Sequence, residues 1–356
     1  MEQEIPKGKT KFISNSISFI VDDRYEYINQ LSSGSFDAIV SAIDHQTNTK
    51  VAIKKFSNIF QDLIDTKNIL WMLKILQFLN HQNIVNLLNI QLPPSRFCYN
   101  DIYIVTDLME VNLCRVIRSG QELTDEHIQY FMYQLLRGVC YIHSANITHR
   151  NISPIHILLN RNCDLKISGW GFARSCSEIA ENLEEYVGSR WYRAPEMILN
   201  SFRNTKSIDI WSCGCIFAEI LGRNPVFPGK NYLDQIKVIV KVLGTPTRED
   251  IGFISNSAAK RFVESLPQTE KIEWSVLFPT ASTDMLDLLD KMLQFSPKKR
   301  WAAEQCLAHP YFRDLHESQE ILADKHFDAS FDNSELTRDQ LSNFIYEEAL
   351  QFHPNI

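Results

Sequence analysis

The sequence predicts an α+β protein of two lobes, a small β-rich one followed by a larger helical one. Three observations carry that expectation. Residues 25–110 read mostly as strands with one helical interruption, and the chain after Glu110 turns helix-rich. With 356 residues, 44% of them hydrophobic, it has enough apolar mass for one large domain or two lobes around a buried core.

In the β-rich part, 25–31, 39–44 and 49–56 are expected strands, separated by Ser/Gly and Gln-Thr-Asn turn signals. Residues 63–79 are an expected amphipathic helix, with Ile69, Leu73, Leu76 and Leu79 near 3.6-residue spacing. Residues 101–108 supply a further strand. Beyond Glu110, a long helix is expected over 125–144, acidic in its first turn and basic later, as the helix dipole favours. Helices over 207–221, 232–243 and 283–293 follow, and Pro195, Pro225, Pro228, Pro246 and Pro297 punctuate the loops between them. No internal repeat or low-complexity tract interrupts this order.

Charge and composition exclude several function classes. A net charge of −7 and a pI near 5.8 argue against nucleic acid as a general partner. The N-terminus is polar and mixed in charge, unlike a signal peptide, and no stretch is apolar enough to span a bilayer. No membrane partner is therefore expected. The eight cysteines are scattered, with only Cys213 and Cys215 close together, which predicts reduced structural thiols of the cytoplasm or nucleus.

A series of motifs then recurs in a fixed order. It begins with Val51-Ala52-Ile53-Lys54 on an expected strand and continues with DIYIVTDLM at 101–109 and YIHSANITHR at 141–150. RWYRAPE at 190–196, IDIWSCG at 208–214 and HPYF at 309–312 complete it. In this order the chain resembles protein kinases, and within them the MAP kinases, with features of both the extracellular-signal-regulated and stress-activated branches. FPGKNYLDQ at 227–235 supports the narrower likeness. The resemblance implies a bilobal protein-kinase fold. It divides the chain into an N-terminal extension (1–24), an N-lobe (25–110), a C-lobe (111–313) and a C-terminal extension (314–356) that packs back on the kinase domain.

The same resemblance implies a damaged catalytic apparatus. Phosphoryl transfer depends on positioning and on neutralising charge, through a glycine loop, a Lys–Glu pair, a base and two metal-holding side chains. The catalytic loop here reads HRNISPIH at 149–156. Asn151 stands where the base Asp belongs, and an amide takes no proton near pH 7. Ser153 replaces the phosphate-steadying Lys. His156 replaces the metal-binding Asn, although magnesium prefers oxygen. The metal-binding Asp-Phe-Gly is Gly169-Trp170-Gly171, and Asp164, five residues earlier, falls at a turn position. Met72 stands where the family places the glutamate that pairs with Lys54, with Lys74 nearby carrying the opposite sign. The glycine loop, Ser32-Ser33-Gly34-Ser35-Phe36-Asp37, keeps one glycine and adds a carboxylate where a triphosphate would lie. No intact catalytic residue and no metal site are expected.

What the resemblance implies as retained is structural or peptide-binding. Glu196 and Arg300 match a buried ion pair, and Asp209 matches the carboxylate that anchors the catalytic-loop backbone. His149, Trp170 and Leu76 are expected to stack as a column between the lobes. Lys54, Ile39, Ala52, Thr106, Met109 and Leu158 occupy nucleotide-binding positions that remain largely apolar. No cofactor is expected; those positions leave room for ATP but make no provision for Mg²⁺.

In the activation segment, Glu184 stands where a phosphothreonine would form, beside a phosphorylatable Tyr186. Its single charge partly mimics a phosphate, with Arg150 and Arg174 as basic partners, while the helix arginine of that site is Trp71. Glu317 and Glu320 match the acidic patch for basic docking motifs. Tyr232, Leu233, Ile236 and Phe262 match the pocket for aromatic ones. The expected function is an inactive MAP kinase-like protein that docks upstream MAP kinase kinases, phosphatases or substrates, as scaffold or competitor. A weak unconventional Ser/Thr, proline-directed kinase and a nucleotide-binding switch are the alternatives.

Overall fold

The computed structural model describes residues 5–33, 37–176, 190–199, 205–315, 321–332 and 335–354. It divides into two compact units. The first holds residues 1–80, 85–109 and 329–356, and the second holds 81–84 and 110–328.

The first unit opens with a hairpin of β1 (Lys9–Ser14) and β2 (Ile17–Asp22). Asn15 and Ser16 turn it, both at positive φ, as a two-residue hairpin loop demands. The polar 1–24 segment carries no expected element, so this hairpin is a finding of the structure. Five further strands form an antiparallel sheet: β3 (Tyr25–Ser33), β4 (Asp37–Asp44), β5 (Thr49–Phe56), β6 (Leu87–Ile90) and β7 (Ile102–Asp107). Their spatial order is β3-β4-β5-β7-β6. One face carries the core, where Phe19, Val21, Tyr25, Val40, Val51, Ile53 and Val105 are buried together.

Helix α1 (Leu63–Phe78) lies between β5 and β6 in sequence, started by Asp62, whose carboxylate accepts from the Ile64 N–H at 2.7 Å. It is buried on more than one face: Leu70, Trp71, Leu73 and Ile75 are all fully enclosed.

The second unit is mostly helical. It begins with β8 (Val111–Asn112), α2 (Leu113–Arg118) and α3 (Asp125–Ser144), the last with the bounds its sequence predicts. Thr124 caps α3 through the His127 N–H. Short strands follow, β9 (Ile147–Thr148), β10 (Ile157–Leu159), β11 (Leu165–Ile167) and β12 (Arg174–Ser175), paired as β11-β10-β8 and β12-β9. These pairings fix the ends of 149–156 and of 168–173, the latter containing a 3-10 turn over Trp170–Phe172.

The rest of the unit is α4 (Pro195–Ile198), α5 (Ser207–Gly222), α6 (Tyr232–Leu243), α7 (Ser257–Glu264), α8 (Trp274–Leu277), α9 (Thr283–Met292) and α10 (Ala303–Leu307). Among the described residues no helix is long and apolar enough to cross a membrane. None of the eight cysteines is in a disulfide.

A last helix, α11 (Arg338–Leu350), belongs to the first unit and packs on α1. Leu341, Ile345 and Ala349 are its buried stripe. Lys74 of α1 pairs with Glu348 of α11, and the Tyr99 hydroxyl donates to the Ser342 carbonyl at 2.9 Å.

Candidate functional site

Asp209, in the first turn of α5, organises the loop that follows β9. Its Oδ2 accepts from the His149 N–H at 2.8 Å and lies 3.0 Å from His143 Nε2; its Oδ1 accepts from the Arg150 N–H at 2.8 Å. Burial alone would raise this carboxyl, yet the hydrogen bond from His143 and the other donors hold it below its usual range. Arg150 is thereby fixed at φ 66, a left-handed conformation unusual for a side-chain-bearing residue.

His149 is fully buried, and burial pushes its pKa down to about 4 against the pull of Asp209. It is therefore neutral near pH 7. Its Nε2–H donates to the Ser168 carbonyl at 3.0 Å, and its Nδ1 accepts from the Asn151 N–H at 3.3 Å. The ring stands edge-on to Trp170 at 4.6 Å. Two members of the expected column thus meet inside the second unit, whereas Leu76 belongs to the first.

Four of the positions expected to be altered lie along this loop and the segment facing it. The His156 Nδ1 lies 2.9 Å from the Asn151 carbonyl and 3.2 Å from Ser153 Oγ. A carbonyl only accepts, so Nδ1 carries the proton. Gly169 sits at φ 87 against the same imidazole. At the two positions expected from the resemblance to hold metal, the chain thus offers a ring and a bare Cα. That donor set does not suit magnesium, which takes oxygen ligands. Asp164 is held in an exposed turn, where its N–H and its Oδ2 bond Asn160 at 2.9 and 2.7 Å.

In the first unit, strand register gathers the expected nucleotide positions. Ile39 of β4 is opposite Lys54 of β5, and Ala52 of β5 is opposite Thr106 of β7. Alternation then puts Ile39, Ala52, Lys54 and Thr106 on one face of the sheet. That face is only partly buried, the opposite one being the core. The Lys54 ammonium lies 4.5 Å over the Phe56 ring. Met109 follows β7, and Leu158 pairs with Asn112 in the second unit.

Helix α1 differs in the residues it presents. Met72 is buried. Trp71 is fully buried, its indole N–H donating to Asp332 at 3.0 Å and its ring 4.8 Å from Phe331. Lys67 pairs with the same carboxylate. Sequence reasoning missed Asp332, because its partners lie more than 250 residues away.

Glu196 and Arg300 form a buried bidentate pair at 2.7 and 3.2 Å. Arg300 also donates to the carbonyls of Ser207 and Gln294 and lies over the Trp211 ring. Every N–H of the guanidinium is thereby used and both carboxylate oxygens accept, the condition under which a buried ion pair is tolerated.

The remaining positions expected to bind peptides are scattered. Tyr232 receives a hydrogen bond from Arg193 at 3.0 Å and lies beneath the guanidiniums of both Arg190 and Arg193. Leu233 is 58% exposed, Phe262 half-buried, and Ile236 fully buried, so of the three only Leu233 presents a large free apolar surface. Arg174 donates to the Ala173 carbonyl at 2.8 Å. Glu184, Tyr186, Glu317 and Glu320 lie outside the described residues.

An antiparallel sheet with one helix, an Asp-anchored loop after a long helix, and a buried Glu–Arg pair are the parts of a protein kinase domain. The protein kinase domain family matches residues 25–312. A mitogen-activated protein kinase homolog of Nicotiana tabacum is 42% identical over 356 residues, covering 99% of this chain and 96% of its own. Extracellular signal-regulated kinase 1 of Dictyostelium discoideum is 44% identical, covering 98% and 68%. Mitogen-activated protein kinase 3 of Arabidopsis thaliana is 44% identical, covering 91% and 88%. The chain belongs to the mitogen-activated protein kinase family.

Proposed function

We propose that this MAP kinase homologue acts by docking, as scaffold or competitor in MAP kinase signalling, without efficient phosphotransfer. The observation that carries the reading is position 169. No side chain stands there to hold a metal, and the imidazole of His156 covers the Cα. Asn151 adds to it, since its amide accepts no proton from a substrate hydroxyl. A missing general base alone costs roughly 10²–10⁴-fold; here base and both metal positions change together. Partners on this reading are upstream MAP kinase kinases, phosphatases or substrates with basic or aromatic docking motifs, met in the cytoplasm or nucleus. Glu317 and Glu320 are the proposed acidic patch.

A second reading, a weak unconventional Ser/Thr kinase with a preference for proline after the target, draws on the relatives. They carry kinase names at 42–44% identity. The partly buried face of Ile39, Ala52 and Thr106 likewise leaves a place for an adenine ring.

The deciding experiment is calorimetric titration of the purified chain with ATP, with and without Mg²⁺, beside a labelled-phosphate transfer assay. The docking reading expects no magnesium-dependent binding and no transfer. Magnesium-dependent binding with transfer abolished by Lys54→Met would establish the kinase reading instead.

A further inference from the structure

The two altered metal positions are built against each other. A Cβ placed on Gly169 would lie 2.5 Å from both Cγ and Cδ2 of His156 and 2.9 Å from its Nδ1. Real Cβ atoms do not approach ring atoms so closely, so any side chain at 169 requires the imidazole to move. The ring is not at liberty to swing aside. Its Nδ1–H is held at 2.9 Å by the Asn151 carbonyl, with Ser153 Oγ at 3.2 Å. The His156 carbonyl in turn accepts the N–H of Ser168 at 2.8 Å and its hydroxyl at 3.0 Å. Ser168 immediately precedes Gly169, and its own carbonyl accepts from His149, whose Nδ1 accepts from the Asn151 N–H. The hydrogen bonds thus close a circuit through residues 149, 151, 156 and 168, with the ring–glycine contact across it.

We propose that His156 and Gly169 are a mutually dependent pair, the imidazole filling the volume that a side chain at 169 would need. The alternative is that Gly169 serves only its positive φ, which penalises any L residue whatever stands at 156. The inference rests on the reading that this site carries no efficient phosphotransfer and adds why the loss is fixed. Restoring a carboxylate at 169 alone would drive it into the ring. Replacing His156 alone would leave the metal position at 169 without a ligand. Only a joint change would present an oxygen from each place to a divalent cation.

The test is a double-mutant cycle on the full chain, with Gly169→Ala introduced beside His156 and beside His156→Asn. Asparagine is smaller, and its amide still donates to the Asn151 carbonyl. The φ penalty is common to both backgrounds and cancels in the cycle. Gly169→Ala is expected to lower the melting midpoint by roughly 2–4 °C more beside His156 than beside Asn, a difference free of the shared φ penalty. Equal losses would overturn the pairing. Should the single variant not fold, recovery of soluble protein in the double variant supports the pair, and failure to recover overturns it. Phosphate transfer by the unaltered chain is measured in parallel. Its appearance would overturn the docking reading and leave the packing result standing, whereas equal losses without transfer overturn the pairing alone.

Discussion

His149 shows how one buried side chain couples this fold to pH. Folded, it takes a proton only near pH 4, because burial disfavours the charged ring; unfolded, it does so near 6.5. Between those values the unfolded chain holds the extra proton, so acidification favours unfolding and the full stabilisation is present only above about pH 6.5. His81 is pushed down to about 4 in the same unit, first by burial and then by Arg137 and Lys166, and acts in the same direction. The groups around His149 are Asp209, His143 and His156, and Asp209 opposes the shift. Each histidine contributes up to about 3 kcal/mol over the window. The melting midpoint should therefore fall steadily between pH 6.5 and 4.5. His149→Gln should flatten that fall while lowering the midpoint at pH 7. A parallel curve in the variant would mean that His149 does not titrate in the window.

Helix α1 holds two residues that the family resemblance singles out. Trp71 stands where an arginine is expected, and Lys74 lies two residues after Met72, the position expected for the acidic partner of Lys54. Both are turned to the C-terminal part of the same unit. Trp71 bonds Asp332 and stacks near Phe331, while Lys74 pairs with Glu348 and lies 5.1 Å over Phe331. The indole N–H is buried, so removing its acceptor leaves a desolvated donor, at a cost of about 1–3 kcal/mol. The Lys67 pair is partly exposed and contributes less. Asp332→Ala should therefore destabilise clearly more than Asp332→Asn, whose amide oxygen still accepts from the indole. Equal losses in chemical denaturation would assign the effect to the Lys67 charge pair instead.

For the whole molecule, the consequence is that the C-terminal 28 residues belong to the first unit's core rather than to an appendage. Leu341, Ile345 and Ala349 are buried there, and Ser342 and Asn343 accept hydrogen bonds from Tyr99 and Arg96. Ending the chain after Asp328 should accelerate amide exchange across 63–78 by at least roughly tenfold, with little change across 207–222 in the other unit. Unchanged exchange in α1 would show that the sheet alone holds the helix.

Much of this architecture is readable without coordinates, because its signals are local. Strand 49–56 and helices 125–144 and 232–243 have the bounds expected of them, since alternation, capping residues and Pro or Gly breaks all act within a few residues. The residues on which the docking proposal rests are readable for the same reason: an amide at 151 or a missing side chain at 169 is a property of residue type. The β1–β2 hairpin was not, because its strands are only six residues each, β1 mixes Lys and Thr with Phe and Ile, and its Asn15-Ser16 turn lacks the usual glycine. Nor was α11, whose apolar positions become a core only when α1 lies against them.

Likewise, nothing at 156 or 169 announces that the ring of one excludes a Cβ on the other, and nothing at 71 points 261 residues onward to Asp332. Residue identity and periodicity specify which elements form and which groups are present to do chemistry. Which side chains share the same few cubic ångströms is set by long-range packing, where close contact between distant segments leaves no trace in local pattern.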